Sequence, residues 1–280
     1  MSKYLIIGCG YVGNHLGNLL VKEGHRVYGI RRQAHLIDDG IIPIEGSWET
    51  MQAQDLPEVD FIFYLVSPDT LDPENYEKTY HYGIAHIIEL VKERQLNCRI
   101  IFASSTRVYH CTDGSWVDED SPLDIDNQFS QSIIKGEDLL ISSGIDFNIA
   151  RIAGIYGHNR HHLLNRIVNG DITFRKHRVY SNRIHQVDCA RALMHMTKLT
   201  YNEGIYNLVD QEPTPLNTIV SWISSKTGTS IDTPTSSNVD LRLSNKLCSC
   251  QRLLHTGFIF KYPNYQAGFS EILRNKFNIY

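Results

Sequence analysis

A doubly wound α/β sheet is the fold class this sequence predicts, and three observations carry the prediction. Short β-rich apolar runs alternate with amphipathic helical stretches through the first half of the chain. A glycine-patterned turn joins the first strand to the first helix. One run, "DFIFYLVS", is almost wholly apolar, as a strand covered on both faces of a parallel sheet must be.

The elements follow in order. "KYLIIG" reads as the first strand, and Tyr11 to Glu23 as a helix with Leu16, Leu19 and Leu20 on one side. "HRVYGI", the short "GIIPIEG" and "DFIFYLVS" are the next three strands. "NYEKTYHYGIAHIIELVKERQ" reads as one long amphipathic helix, and "CRIIFASS" as the fifth strand. "DNQFSQSIIKGEDLL" opens another helix, with Gln131 one turn before Lys135 on the same face. "DFNIARIAGIYG" is the following strand and its exit.

The pattern loosens after Gly157. It offers a short helix near "LLNRIVNG", a helix in the second part of "RVYSNRIHQVDCARALMHMTKL", and the strand "GIYNLVD". "TPLNTIVSWISSKTG" reads as a helix with Thr214 as a possible cap and a terminating glycine. From "TSIDTPTSSNVD" onward the chain is turn-rich, and "QAGFSEILRNKF" is a closing helix. The expected division is a dinucleotide-binding domain over 1–156, to which 184–210 returns. A small C-terminal substrate lobe takes 157–183 and 211–280.

The 280 residues are 42% hydrophobic and 21% charged, the composition of a soluble globular chain. Lys and Arg number 27 against 31 acids, a net charge of −4 that offers no support for a nucleic-acid or membrane-surface role. No apolar run approaches the roughly 20 residues of a membrane span, and "MSKYLIIGCG" has no signal-peptide layout, so a cytoplasmic protein is expected. Of Cys9, Cys98, Cys111, Cys189, Cys248 and Cys250 only the last two lie close, which reads as scattered reduced thiols. His158, His161 and His162 lack a carboxylate or cysteine at ligand spacing, so a polar loop is expected there and no metal.

Gly8-Cys9-Gly10-Tyr11-Val12-Gly13 is a G-x-G-x-x-G placed between strand and helix. The first glycine permits the tight turn, the second lets backbone approach a pyrophosphate, and the third lets helix and sheet pack closely. The helix N-terminus would hold the phosphates; the alternative is a glycine turn without a ligand. About 20 residues on, where a carboxylate would hold the ribose of NAD, stand Arg31 and Arg32. Two guanidiniums can bind a 2′-phosphate bidentately, which favours NADP over NAD. The alternative is a solvated arginine pair.

"SSTRVY", "RIAGIYG", "RIHQVDCARAL" and "YNLVD", in this order, give the chain a resemblance to the extended short-chain dehydrogenase/reductase superfamily. It resembles in particular the NAD(P)-dependent epimerase/dehydratase group, which acts mainly on nucleotide-linked sugars, and within it the compact YeeZ-type branch. The resemblance implies a Rossmann-type sheet of about seven strands with a smaller C-terminal lobe that holds substrate. It implies that Val66 and Ser67 meet the cofactor ribose and that "RIAGIYG" passes beside the nicotinamide. Arg183 becomes a candidate anchor for a phosphate or other anion, or else a structural arginine paired with an acid such as Asp188. Ser105 falls where the family's reacting-group hydroxyl lies, although a hydroxyl at a strand end can also cap the next turn.

The resemblance also implies departures. Lys135 matches the family's lysine, but Gln131 stands where its tyrosine acid/base would be. An amide neither donates nor accepts a proton at a useful pKa. His110 replaces a usual glycine, Tyr80 a common asparagine, and Ser47 an aspartate that often holds the adenine. Tyr80, Tyr82, Tyr109, His110 and His185 are chemically able to carry a proton instead, and Ser105, Lys135 and Tyr109 form the candidate catalytic set. The expected function is an NAD(P)-binding epimerase/dehydratase-like oxidoreductase acting on a nucleotide sugar or a related carbonyl or hydroxyl compound. The competing expectation is a non-catalytic NADP(H)-binding sensor or regulatory protein. A third is a structural scaffold, against which the glycine loop and arginine pair argue. Family members often pair through two long helices, so a homodimer is also an expectation.

Overall fold

The computed structural model describes residues 1–199, 203–231 and 245–277. Their elements are β1 (Lys3–Ile7), α1 (Tyr11–Lys22), β2 (Arg26–Arg31), β3 (Ile42–Glu45), β4 (Phe61–Tyr64), α2 (Pro73–Tyr76), α3 (Gly83–Glu93) and β5 (Arg99–Ser105). There follow β6 (Trp116–Val117), α4 (Gln128–Ile141), β7 (Phe147–Ile152), β8 (Gly154–Tyr156), α5 (His162–Val168), β9 (Tyr180–Ser181), β10 (Arg183–His185) and α6 (Gln186–Met196). The last are β11 (Glu203–Leu208), β12 (Thr214–Pro215), α7 (Leu216–Thr227), β13 (Leu247–Cys248), α8 (Gln251–His255) and α9 (Tyr265–Phe277). Most of the turn-rich stretch that begins with "TSIDTPTSSNVD" lies outside the described residues.

Seven strands form one sheet in the order β11-β7-β5-β4-β1-β2-β3, and the pairs from β3 to β7 are parallel. The strand order reverses between β1 and β4, so the carboxyl ends of these two strands form the crevice where open α/β sheets bind ligands. This is the doubly wound sheet that the sequence pattern predicts, with the seven strands of the Rossmann type that the family resemblance implies. Two compact units divide the chain. The first comprises 1–109, 122–152 and 189–206; the second comprises 110–121, 153–188 and 207–280.

One apolar face of the sheet builds a core of the first unit. Leu5, Ile7, Ile62, Tyr64, Ile100, Phe102 and Ile149 pack with Ile84, Ile87 and Leu140 from the helices, all fully buried. Each such side chain contributes about 1.5–3 kcal/mol by leaving water. Tyr64 brings a hydroxyl into this core, and it donates to the carbonyl of Thr79 at 2.8 Å. That bond corrects one expectation. The predicted long helix is two α-helical pieces joined by a π-helical turn over Glu77–Tyr82. Gly83 N–H reaches back five residues to Lys78, and a Cβ at Gly83 would lie 1.9 Å from the Tyr64 hydroxyl. A side chain inserted into the helical ladder is a recognised cause of such a turn.

A polar cluster is also buried in this unit. Glu137 of α4 accepts from Arg151 Nε at 3.0 Å and Nη2 at 2.7 Å, and from the Ser104 hydroxyl of β5. Arg151 also donates to the Tyr109 hydroxyl at 3.2 Å and lies over its ring. Glu137 and Arg151 are each 2% exposed.

In the second unit, Tyr156 of β8 packs with Leu164, Ile167, Ile219, Ile223, Phe269 and Ile272 of α5, α7 and α9 to form a core. The helix α7 ends at Gly228, whose φ of +70° is the left-handed cap expected of the terminating glycine. Thr214, however, does not cap its start. The cap position is Pro215, and the Thr214 hydroxyl donates instead to the Glu212 carbonyl at 2.7 Å. Two-residue strands β6 and β13 pair in parallel, Trp116 opposite Leu247. After β11, burial pushes the Asp210 carboxyl up to about 8, against a hydrogen bond from Glu212 N–H and the charge of Arg183.

Removing one partner of a buried pair strands the other charge. Glu137→Gln is expected to destabilise the protein by about 3–5 kcal/mol in urea unfolding, and Glu137→Leu with Arg151→Met to recover most of the loss. A single variant within about 1 kcal/mol of wild type would count against the pair's structural weight. Asp210 gives a pH dependence of definite sign. The folded chain keeps a proton there up to about 8, whereas the unfolded chain releases it near 3.9. Stability contributed at this site is therefore highest at low pH and falls as pH rises through that window. Asp210→Asn should remove the dependence, so urea midpoints of variant and wild type should diverge as pH increases from about 5 to about 8. A pH-independent difference would refute it.

Candidate active site

The glycine loop closes the carboxyl end of β1. Gly8 has φ +87°, and a Cβ there would stand 2.9 Å from the backbone of Leu65 and Val66. Only glycine supports both the conformation and the approach. The N–H groups of Gly8 and Cys9 both donate to Ile30 O, at 3.1 and 2.9 Å, which ties the loop to β2. A Cβ at Gly13 would meet the Ile6 side chain at 3.1 Å, so its absence lets α1 lie close on the sheet. At Gly10 the nearest atom to a Cβ is Gly8 O at 4.0 Å. Internal packing does not require this glycine; an approaching ligand would.

Gly10 is also the cap residue of α1, with no side-chain cap bond and no acid in the first turn. The helix dipole and first-turn amides thus face this loop without a competing carboxylate on their own turn. Tyr11 and Val12 are half-buried in that turn. Cys9 is buried with Sγ 3.3 Å from Asn14 Oδ1, and burial first, then Asp38, pushes its thiol up to about 12. It is a packing residue in a loop built to receive an anion. The group implied by such a loop is a dinucleotide, and the open space at Gly10 fits one.

Arg31 Nη1 donates to Leu36 O at 3.1 Å. Arg32 forms a two-pronged bond to Asp69, at 2.7 and 2.6 Å. Both oxygens of Asp38 are engaged, by Asn14 at 3.1 Å and Asn18 at 2.6 Å. Val66 is half-buried against the glycine loop and Ser67 is exposed.

The remaining first-unit candidates sit at the ends of β5 and along α4. Ser105 Oγ accepts from Arg107 N–H at 3.2 Å, capping the turn over Thr106–Val108. Asn127 caps α4 by accepting from Phe129 and Ser130. Lys135 Nζ is 2.8 Å from Glu77, in the π-helical turn. The lysine holds the Glu77 carboxyl below the usual carboxylate range, and the carboxylate raises the lysine. Gln131 donates its amide to Ile125 O at 2.6 Å. Tyr109 is 1% exposed, and its hydroxyl accepts from Arg151. Burial pushes the Tyr80 hydroxyl up, and Tyr82 is exposed and stacked on His81. His110 is exposed, and Ser47 N–H donates to Thr50.

In the second unit, Arg183 lies in β10, paired with β8. Its Nε is buried without a hydrogen-bond partner among the described residues, and burial lowers its pKa. Asp188, the acid considered for it, receives Lys261 N–H at 2.9 Å and Tyr262 N–H at 2.6 Å instead. His185 is 1% exposed, 3.4 Å from Glu271 and packed against the rings of Tyr156 and Tyr262. Glu77, Asp69 and the Glu137–Arg151 pair were not reached from the sequence. An acid that meets its basic partner in another element leaves no periodic signal. Among the described residues no group of three or more His, Cys, Asp or Glu could hold a metal ion, and no helix is long and apolar enough to cross a membrane.

A family model, the NAD dependent epimerase/dehydratase family, matches residues 4–208. Solved structures agree over nearly the whole chain. A Methylobacillus flagellatus chain described as an NAD-dependent epimerase/dehydratase is 25% identical, with a TM-score of 0.81 over 98% of both chains. Human epimerase family protein SDR39U1, solved with NADPH, is 22% identical, with a TM-score of 0.80 over 98% of this chain and 99% of that one. MoeE5, solved with UDP-glucuronic acid and NAD, is 19% identical, with a TM-score of 0.84 over 98% and 99%. With a matched region running from β1 to the last strand of the sheet, the chain belongs to the NAD-dependent epimerase/dehydratase family.

Proposed function

We propose that this protein binds NADP(H) on the glycine loop and acts as an oxidoreductase on a nucleotide sugar or a related carbonyl or hydroxyl compound. The observation that carries the cofactor half is Gly10, whose missing side chain opens space that nothing internal fills, at an uncapped helix N-terminus. Arg31 and Arg32, at the end of β2 and just past it, support the 2′-phosphate. When bound, a nicotinamide accepts or donates hydride. The first-turn amides of α1 would hold the diphosphate, and Val66 and Ser67 would border the ribose. The Ser105 hydroxyl, accepting from Arg107 N–H, keeps its own proton to donate to a reacting oxygen.

Arg183 carries the substrate half. A buried guanidinium Nε with no hydrogen-bond partner among the described residues is a costly arrangement that a bound anion such as a diphosphate would relieve. The UDP-sugars held by MoeE5 are of this class. Six free cysteines, five of them buried, support a reducing cytoplasmic setting.

One observation favours a second reading, a dinucleotide-binding sensor. Gln131 cannot transfer a proton and is tied to Ile125 O, while Lys135 is tied to Glu77. Calorimetric titration with NADPH and NADH, followed by exchange of deuteride from labelled NADPH into a panel of UDP-sugars, separates the two. The enzyme reading expects exchange with at least one sugar. Tight binding without exchange, unchanged in Gln131→Tyr, favours the sensor. Arg31→Ala should weaken NADPH by about tenfold and NADH little; equal losses refute the 2′-phosphate role. Arg183→Ala should weaken UDP-sugar binding by at least about tenfold and leave NADPH affinity unchanged.

A further inference from the structure

The dinucleotide reading leaves Asp69 without a part, yet this residue holds one of the two arginines that reading needs. Arg32 stands in the loop after β2 and Asp69 in the loop after β4. In the sheet β1 lies between β2 and β4. The pair therefore links the two loops that flank the glycine loop, and the second of them touches Gly8 through Leu65 and Val66. Arg32 Nη1 meets Asp69 Oδ2 at 2.7 Å and Nη2 meets Oδ1 at 2.6 Å, so the end-on face of the guanidinium is spent on one carboxylate. A phosphate recognised end-on needs that same face.

The pair is open to exchange. The two side chains are 70% and 60% exposed, and an ion pair in water has little net strength. Asp69 also has a second cation to turn to. Lys78 acts on its carboxyl electrostatically, and Lys78 itself lies 3.1 Å from Glu49. Arg32, Asp69, Lys78 and Glu49 thus form an alternating row of charges, in which the first arginine can leave without stranding its partner.

Resting on the dinucleotide reading above, we propose that Asp69 is a cofactor-selectivity residue that competes with the 2′-phosphate of NADP(H) for Arg32. In the free protein the carboxylate occupies the guanidinium; a 2′-phosphate, with its greater charge, displaces it, and a 2′-hydroxyl does not. Asp69 consequently lowers the preference for NADP(H) over NAD(H) below what Arg31 and Arg32 alone would give. It holds the arginine in place meanwhile.

Calorimetric titration of NADPH and NADH into the wild type, Asp69→Asn, Arg32→Ala and the double variant tests this without reference to turnover. Asp69→Asn should tighten NADPH by about three- to tenfold and NADH by less than about twofold. In the Arg32→Ala background the same substitution should give no NADPH-specific gain, because the competition has lost its object. Equal changes for both dinucleotides, or weaker binding of both, would overturn the proposal and make the pair a strap over the cofactor instead. A selective gain that persists without Arg32 would overturn it as well. Wild-type protein that binds neither dinucleotide would overturn the dinucleotide reading itself, and the selectivity role with it. Wild-type binding with an inert Asp69→Asn would overturn the selectivity role alone.

Discussion

The bidentate contact between Glu137 and Arg151, closed by the Ser104 hydroxyl, fixes where α4 lies on the sheet. Measured against apolar replacements, a buried ion pair contributes little net stability. Its consequence here is geometric. Three successive residues of α4 face three different partners, at about 100° from one to the next along a helix. Lys135 meets Glu77, Gly136 faces the Tyr80 carbonyl, and Glu137 enters the sheet. A Cβ at Gly136 would stand 2.2 Å from that carbonyl, so the helix can approach the π-helical turn this closely only at a glycine. Sliding α4 by one residue would break all three contacts together. The positions of Lys135 and Gln131 follow from that register.

A second close approach organises the opposite flank of the crevice. Gly8 turns at +87° against Leu65 and Val66, which joins the end of β1 to the end of β4 at the point where strand order reverses. One residue back in β4, Tyr64 sends its hydroxyl to Thr79 and takes the room beside Gly83. The same short segment thus closes the glycine loop and forces the π-helical turn that carries Glu77. A backbone approach at Gly8 and the Tyr64 side chain one residue earlier together tie the glycine loop to the π-helical turn that faces Lys135.

The parts of this architecture that local pattern encodes were legible. Strands β1, β2, β4, β5 and β7 announced themselves by β-rich apolar runs, and the glycine loop by spacing and context, because each depends on residues adjacent in sequence. The π-helical turn was not legible. The periodicity of "NYEKTYHYGIAHII" is that of a plain helix, and its distortion comes from a tyrosine in another element. Ser105 left two readings open; its hydroxyl does cap the next turn, which does not prevent it from donating elsewhere. Tyr109 offered a hydroxyl beside a strand end, and only the arrival of Arg151 from β7 shows that it is covered. Thr214 had the chemistry of a cap, but the chain enters α7 through Pro215. Strands β6 and β13, two residues each, pair across a long stretch of sequence and carry no alternation to detect.

The contact between Lys135 and Glu77 bears most directly on what Gln131 changes. A lysine beside a tyrosine one turn earlier stabilises the phenolate and is itself offset by it. Residue 131 is an amide and supplies no such offset here; the carboxylate that meets Lys135 is Glu77, in the π-helical turn. The charge of Lys135 is balanced by Glu77, and Gln131 adds no titratable proton beside it. Glu77 is held below the ordinary carboxylate range, so at neutral pH it has no proton to give, and Gln131 has none to exchange. A cation so balanced still suits the binding of ribose hydroxyls, which needs a donor and no proton transfer. Binding and proton transfer, coupled when a tyrosine stands one turn before the lysine, are therefore separable in this chain, and any proton moved during turnover has to come from a group other than residue 131.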